Sequence, residues 1–214
     1  MKKIIDQLSS HLGDRTQNPN KTLAQEIITS QNEEALKVIR KSLKEETDID
    51  TIADLLKVLE VMGELDSAFS QSCFPEIFQY LNHTSNKIQW RAMSALSTIA
   101  EYHINKIYTE LPLILKLMEL GTVVTRDHGV KILLSLYSSE TYQQEIAPLL
   151  AEQVLAAPDN QVGQYSEKWS KIINQEHIPL LVDTLEARAI ELDKPAHQKR
   201  ASKILLSLRK KYHH

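Results

Sequence analysis

Phe74-Pro75-Glu76-Ile77 returns along the chain as Leu111-Pro112-Leu113-Ile114, Ala147-Pro148-Leu149-Leu150 and Ile178-Pro179-Leu180-Leu181. The prolines stand 37, 36 and 31 residues apart. Proline is tolerated in the first turn of a helix, because the N–H it lacks would have no intrahelical partner there. Each phrase therefore predicts a helix start. Restarts at this period predict an array of stacked helical repeats.

We term the proline-led helix of each unit A. Its apolar positions follow helical spacing, as in Leu113, Leu117 and Leu120, or Leu150, Val154 and Leu155. A second helix, B, follows each A. Arg91-Ala92-Met93-Ser94-Ala95-Leu96, His128-Gly129-Val130-Lys131-Ile132-Leu133 and Arg200-Ala201-Ser202-Lys203-Ile204-Leu205 can be superposed, with Lys168-Trp169-Ser170-Lys171-Ile172-Ile173 as a fourth copy. Ala92, Gly129 or Ala201 lets a neighbouring helix approach closely; Trp169 departs from that rule, and packing is the expected role for it. The proline-to-B spacing is 16 residues in two units, then 20 and 21. This predicts an extra turn in A, or a longer connection, in the later units. Pro158-Asp159-Asn160 and Asp193-Lys194-Pro195 carry turn chemistry for those connections.

Upstream, Asn32 to Glu45 reads as a helix with Ala35, Leu36, Ile39 and Leu43 on one face. Asp50 to Glu64 reads as another, with Ile52, Leu55, Leu56 and Leu59 inward, Thr47-Asp48 as a start signal and Gly63 as a stop. Two shorter helices flank a polar break at Gly13–Asn20. The expected organisation is one all-α domain over 1–214: a cap at 1–30, then repeats at 31–66, 67–103, 104–138, 139–174 and 175–212.

The early proline of A and the small residue after a basic one in B, as in Trp90-Arg91-Ala92 and Lys199-Arg200-Ala201, resemble HEAT and armadillo-type repeat proteins over about residues 31–212. Asn86 and Thr122 stand where HEAT units often carry an aspartate. The resemblance implies a right-handed α-α superhelix, a HEAT/ARM-like solenoid of about five helical pairs, with B helices lining a concave binding side.

Composition sets the function classes. No stretch approaches the roughly 18 apolar residues of a membrane-spanning helix, and Met1-Lys2-Lys3-Ile4-Ile5-Asp6 meets a charge before any secretory apolar core develops. The single cysteine, Cys73, excludes an intrachain disulfide framework and a multi-cysteine zinc site; it is expected as a buried small hydrophobe, and the cytoplasm is the expected compartment. Phosphate-binding glycine loops, H-E-x-x-H and G-x-S-x-G are absent. Eight histidines occur, none in helical ligand register with another, and His213-His214 receives no role. We expect no catalysis, metal or cofactor.

Net charge is -3, unevenly spread: -4 over 1–66, +1 over 67–138, -6 over 139–192 and +6 over 193–214. Placing Ala92, Ala95, Leu96 and Ile99 inward turns Trp90, Arg91, Ser94 and Ser97 outward or onto the seam between repeats. Carried through the copies, the same offset selects Asp127, His128 and Lys131, then Glu167, Lys168 and Lys171, then Lys199, Arg200 and Lys203, a mostly basic ridge along the B helices. For Arg91 and Arg200 the competing role is ion pairing to an acidic residue of the adjacent repeat. For Lys131, Lys171 and Lys203 it is a solvated face. Leu134 and Leu206 fall outside the inward set and are either covered by a neighbour or part of an apolar patch. The expected function is a protein-interaction scaffold for an acidic partner. The alternative is nucleic-acid binding, with the architecture of the HEAT-like alkylpurine DNA glycosylases, against which the net acidic charge argues. A HEAT-like lyase or cofactor chaperone of the bilin-lyase kind is a third possibility, for which the residues mark no pocket.

Overall fold

The computed structural model describes residues 4–212; Met1-Lys2-Lys3 and His213-His214 lie outside the described residues. Among the described residues the chain is helical throughout and contains no strand. It divides into two compact units, the first running to Ile132 and the second from Leu133.

The first unit opens with a 3-10 turn at Ile5–Gln7, then α1 (Asn18–Thr29), α2 (Glu33–Glu45), α3 (Ile49–Leu65), α4 (Ser67–Ser70), α5 (Phe74–Phe78), α6 (Asn86–Ile99), α7 (Ile104–Thr109), α8 (Leu111–Leu120) and the start of α9 (Val123–Tyr137). Asn32 and Asp48 cap α2 and α3, their side chains accepting from Ala35 N and Thr51 N. Each satisfies an N–H that would otherwise lack a partner. Ala35, Leu36, Ile39, Leu43, Ile52, Leu55, Leu56 and Leu59 are all buried, as their spacing predicts. α3 packs between α1 and α6, and α2 packs on α5.

Several elements differ from the sequence reading. Gly63 does not stop α3; it lies inside the helix, buried against Thr98. The segment around Pro75 is not one helix A but α4, a 3-10 turn at Gln71–Cys73, five-residue α5 and a second 3-10 turn at Gln79–Asn82. Instead of two helices flanking a polar break, residues 8–17 form a loop and α1 begins at Asn18. That loop is pinned from below: Ser9 N donates to Asn20 Oδ1 at 2.9 Å, and Ser10 N to Asp54 Oδ2 at 2.7 Å. In α8 Leu117 is buried but Leu120, its last residue, is 72% exposed.

The second unit holds the end of α9, then α10 (Gln143–Leu155), α11 (Asp159–Ile172), α12 (Ile178–Glu191) and α13 (Pro195–Tyr212). α10 packs on α12 and α11 on α13. Pro112 and Pro179 sit in first turns as expected, whereas Pro148 lies inside α10, which starts at Gln143. The extra turn falls in A for the last repeat, where α12 runs 14 residues against 10 in α8. In the repeat before, it falls in B instead, because α11 begins at Asp159, well ahead of Lys168. Trp169 is fully buried beside Tyr137, rings edge-on with centroids 5.9 Å apart. Leu134 is buried, Leu206 is 61% exposed and Leu155 also faces outward.

Polar contacts carry the repeat period. Within the first unit Arg40 reaches Glu76, Tyr80 OH donates to Leu43 O, and Lys87 pairs with Asp50, spans of 36, 37 and 37 residues. Within the second, Arg200 bonds Glu167 and Gln144 bonds Glu176, spans of 33 and 32 residues. Each of these contacts joins helices or turns about one period of the proline phrases apart.

Candidate functional site

The ridge residues fall into two groups, one in each unit. In the first, α6 carries Trp90 and Arg91. The Arg91 guanidinium lies over the Trp90 ring, 4.1 Å from its centroid, and Nη1 is 3.6 Å from Glu60 Oε2 of α3. Glu60 Oε1 also takes Lys57 Nζ at 2.8 Å. Both partners of the Arg91 pair are nearly covered, 12% and 9% exposed. Burial pulls the Arg91 pKa below its ordinary value, against the opposing charges of Glu60 and Asp54. Arg91 is thus tied between adjacent helices, the second of the two roles its position allows. Ser94 and Ser97, expected outward or on the seam, are buried. Ser97 donates to Ser94 O at 2.7 Å and lies 3.1 Å from His128 Nδ1. Asp127, His128 and Lys131 of α9 are half-buried.

In the second unit Arg200 of α13 grips Glu167 of α11 with two parallel bonds, Nε–Oε1 at 3.0 Å and Nη2–Oε2 at 2.5 Å. Such a fork is the strongest geometry a guanidinium and a carboxylate can adopt. Unlike the Arg91 pair, it is open to solvent, each side chain 42% exposed. Lys171, one turn beyond Glu167, and Lys203, three residues beyond Arg200, are both exposed. The Arg200 hydrogen bonds hold the Glu167 carboxyl below the usual carboxylate range, outweighing desolvation; the charges of Arg200, Lys171 and Lys203 add to the effect. Lys168 is half-buried beside them. Lys211 Nζ donates to Ser170 O at 2.7 Å, placing a cation on the last turn of α11, where the helix dipole favours it.

Glu167, Lys171, Arg200 and Lys203 all lie on the stripe read from the sequence, and ion pairing is one of the roles expected there for Arg91 and Arg200; the structure identifies the partners as Glu60 and Glu167. Glu167 had a signal, since it stands 33 residues before Arg200, at the spacing of neighbouring repeats. Sequence reasoning overlooked a groove of about 480 Å³ in the first unit, lined by Leu81, Asn86, Gln89, Lys116, Leu120 and Thr122 among others. No carboxylate, histidine or cysteine lines it, so it lacks the groups that most often serve as general acid or base.

Buried titratable groups outside the ridge are tied into the fold. Tyr137 OH lies 2.9 Å from His177 Nδ1 and accepts from Asn174 N at 3.2 Å. Both rings are buried. Burial pushes the Cys73 thiol up to about 12. Among the described residues no cluster of three or more His, Cys, Asp or Glu side chains is placed to hold a metal ion, and no helix is long and apolar enough to cross a membrane.

No family model and no curated protein sequence matches the chain. Among solved structures, it is similar to a crystal structure described as an engineered protein, a Northeast Structural Genomics Consortium target. The TM-score is 0.64 at 15% identity, covering 98% of both chains. At that identity the likeness concerns the fold alone.

Proposed function

We propose that the chain is a HEAT- or armadillo-type array, a right-handed superhelix of helical pairs. It works in the cytoplasm as a non-enzymatic scaffold that takes an acidic protein partner on the face of its B helices. The observation that carries this reading is the open group on α11 and α13, where Arg200, Lys171 and Lys203 surround the single carboxylate Glu167. Charge of one sign gathered on an exposed face steers and selects partners of the other sign. The repeat-length spans of the polar contacts support the array. Arg91 belongs to its framework, and the contact face lies in Lys171, Lys203 and the residues around them.

The test is cross-linking in native lysate with the wild-type protein and with the double variant Lys171→Glu/Lys203→Glu. Partners that disappear with charge reversal support the face. An unchanged set of cross-linked partners sinks it.

A further inference from the structure

The two arginine–glutamate pairs differ in a way that bears on binding. Glu60 and Arg91 are covered, and a partner reaches neither without unpacking α3 from α6. Glu167 and Arg200 are each 42% exposed. Because the pair is open to solvent, a partner's carboxylate can take Glu167's place on Arg200 and make the same fork, so the exchange replaces one charge-assisted pair by another. Around it, Lys171 and Lys203 leave the group with more cations than Glu167 neutralises. Arg209, the next cation along α13, is not part of this excess, because Glu186 of α12 holds it. Next in sequence to Lys171, Ile172 is 40% exposed, and three residues beyond Lys203, Leu206 is 61% exposed. The face therefore offers cations with apolar contacts among them.

We propose that Glu167 is an internal competitor: its carboxylate occupies on Arg200 the place that an aspartate or glutamate takes when an acidic, leucine-containing segment of a partner protein docks along α11 and α13. The inference rests on the scaffold reading above and adds the partner's chemistry and the contact that is exchanged. Docking releases Glu167 from Arg200, and Lys171 and Lys203 take further carboxylates of the same segment. Glu167 thus weakens the binding of acidic segments and favours those that bring several carboxylates at once.

The experiment uses the full chain and a fluorescein-labelled peptide of repeated Glu-Glu-Leu, followed by anisotropy at about 50 mM salt, where screening is modest. Glu167→Gln and Glu167→Ala should each tighten binding, by roughly two- to fivefold for an exposed pair. Glu152→Gln, at an exposed carboxylate of α10 rather than of α11 or α13, makes the same change in net charge elsewhere in the unit and should leave affinity where it was. Lys171→Glu/Lys203→Glu should weaken it by roughly tenfold or more. Tightening by Glu152→Gln equal to that of Glu167→Gln reduces the effect to net charge and overturns the proposal. If charge reversal abolishes binding while both Glu167 variants bind as the wild type does, internal competition is wrong and the scaffold face stands. If the peptide binds all variants alike, the face itself is wrong. A single-stranded oligonucleotide that binds as tightly, and tightens equally with Glu167→Gln, overturns the assignment of a protein partner.

Discussion

Gly63 of α3 faces Thr98 of α6 with no room for a methyl group. A Cβ on Gly63 would lie 2.0 Å from Thr98 Oγ1 and 2.7 Å from Thr98 Cβ. Thr98 has little freedom to yield, being β-branched and donating its hydroxyl to Ala95 O at 2.7 Å. Gly63→Ala would gain about 1 kcal/mol of helix propensity but forces an overpacked contact costing about 1–3 kcal/mol. We expect a net loss, read as a lower urea midpoint at unchanged slope. A glycine inside the helix with open space beside it would give the opposite sign, so a stabilised variant refutes the close-approach role.

What could be read from the chain followed from local periodicity. The buried faces of α2 and α3 repeat at helical spacing, and each helix carries its own capping residue in sequence, Asn32 and Asp48. Gly63 could not be read this way, because its role is set by Thr98 of α6. Pro148 misled for a related reason. Proline in a helix interior removes one hydrogen bond and crowds the preceding turn, yet α10 extends upstream of it, and the flanking Ile146, Ala147 and Leu150 are buried. At the candidate site the two arginines, each preceding an alanine in B, look alike in sequence. They part company because Glu60 sits under cover in α3 and Glu167 at an open surface, a difference decided by packing rather than by either residue's neighbours in the chain.

Glu76 carries a pH-dependent share of stability. Its side chain is 1% exposed and bonded to Arg40 Nη2 at 3.2 Å and Lys44 Nζ at 3.0 Å. Burial alone would raise its pKa, but the bonds from Arg40 and Lys44 prevail and hold it below the ordinary value. A carboxylate with a depressed folded-state pKa stabilises fully above the unfolded value, about 4.3 for glutamate, and that share is lost as pH falls through the folded value. Glu76→Gln should therefore be less stable by about 1–3 kcal/mol at neutral pH. Below about pH 4.3 the two unfolding curves should begin to converge, and they meet as pH falls through the depressed folded value. A constant gap down to acid pH would show that the ionised carboxylate is not what α2 and α5 share.

Cys73 should be chemically silent in the native state. It is fully buried, and desolvation, the largest influence on it, pushes the thiol up to about 12 although Arg40 pulls the other way. The thiolate is the reactive form. With a thiol-disulfide reagent at pH 8 we expect no native labelling and one equivalent on denaturation, at a rate that follows unfolding. Rapid labelling without denaturant would mean that the segment from Gln71 to Phe78 opens independently of the rest.

Arg188 of α12 closes the turn between α10 and α11. Nη2 donates to Ala157 O at 3.0 Å and to Asp159 Oδ1 at 2.9 Å, and Nη1 donates to Glu191 Oε2 at 2.6 Å. One planar group thus satisfies a carbonyl in the connection after α10 and the first acidic side chain of α11, while its own side chain is only 12% exposed. Arg188→Met keeps the aliphatic packing and removes all three bonds; we expect a loss of about 2–3 kcal/mol. Arg188→Lys should recover less than half of that, because an ammonium on a flexible stem does not reproduce the fork that serves two acceptors from one nitrogen and a third from the other. Hydrogen exchange separates this role from a general loss of stability. Backbone amides of Ala157 and residues 159–162 should lose protection in Arg188→Met beyond the global change, whereas those of α13 should follow it. A lysine variant as stable as the wild type, with unchanged exchange at the turn, would show that charge alone holds this connection.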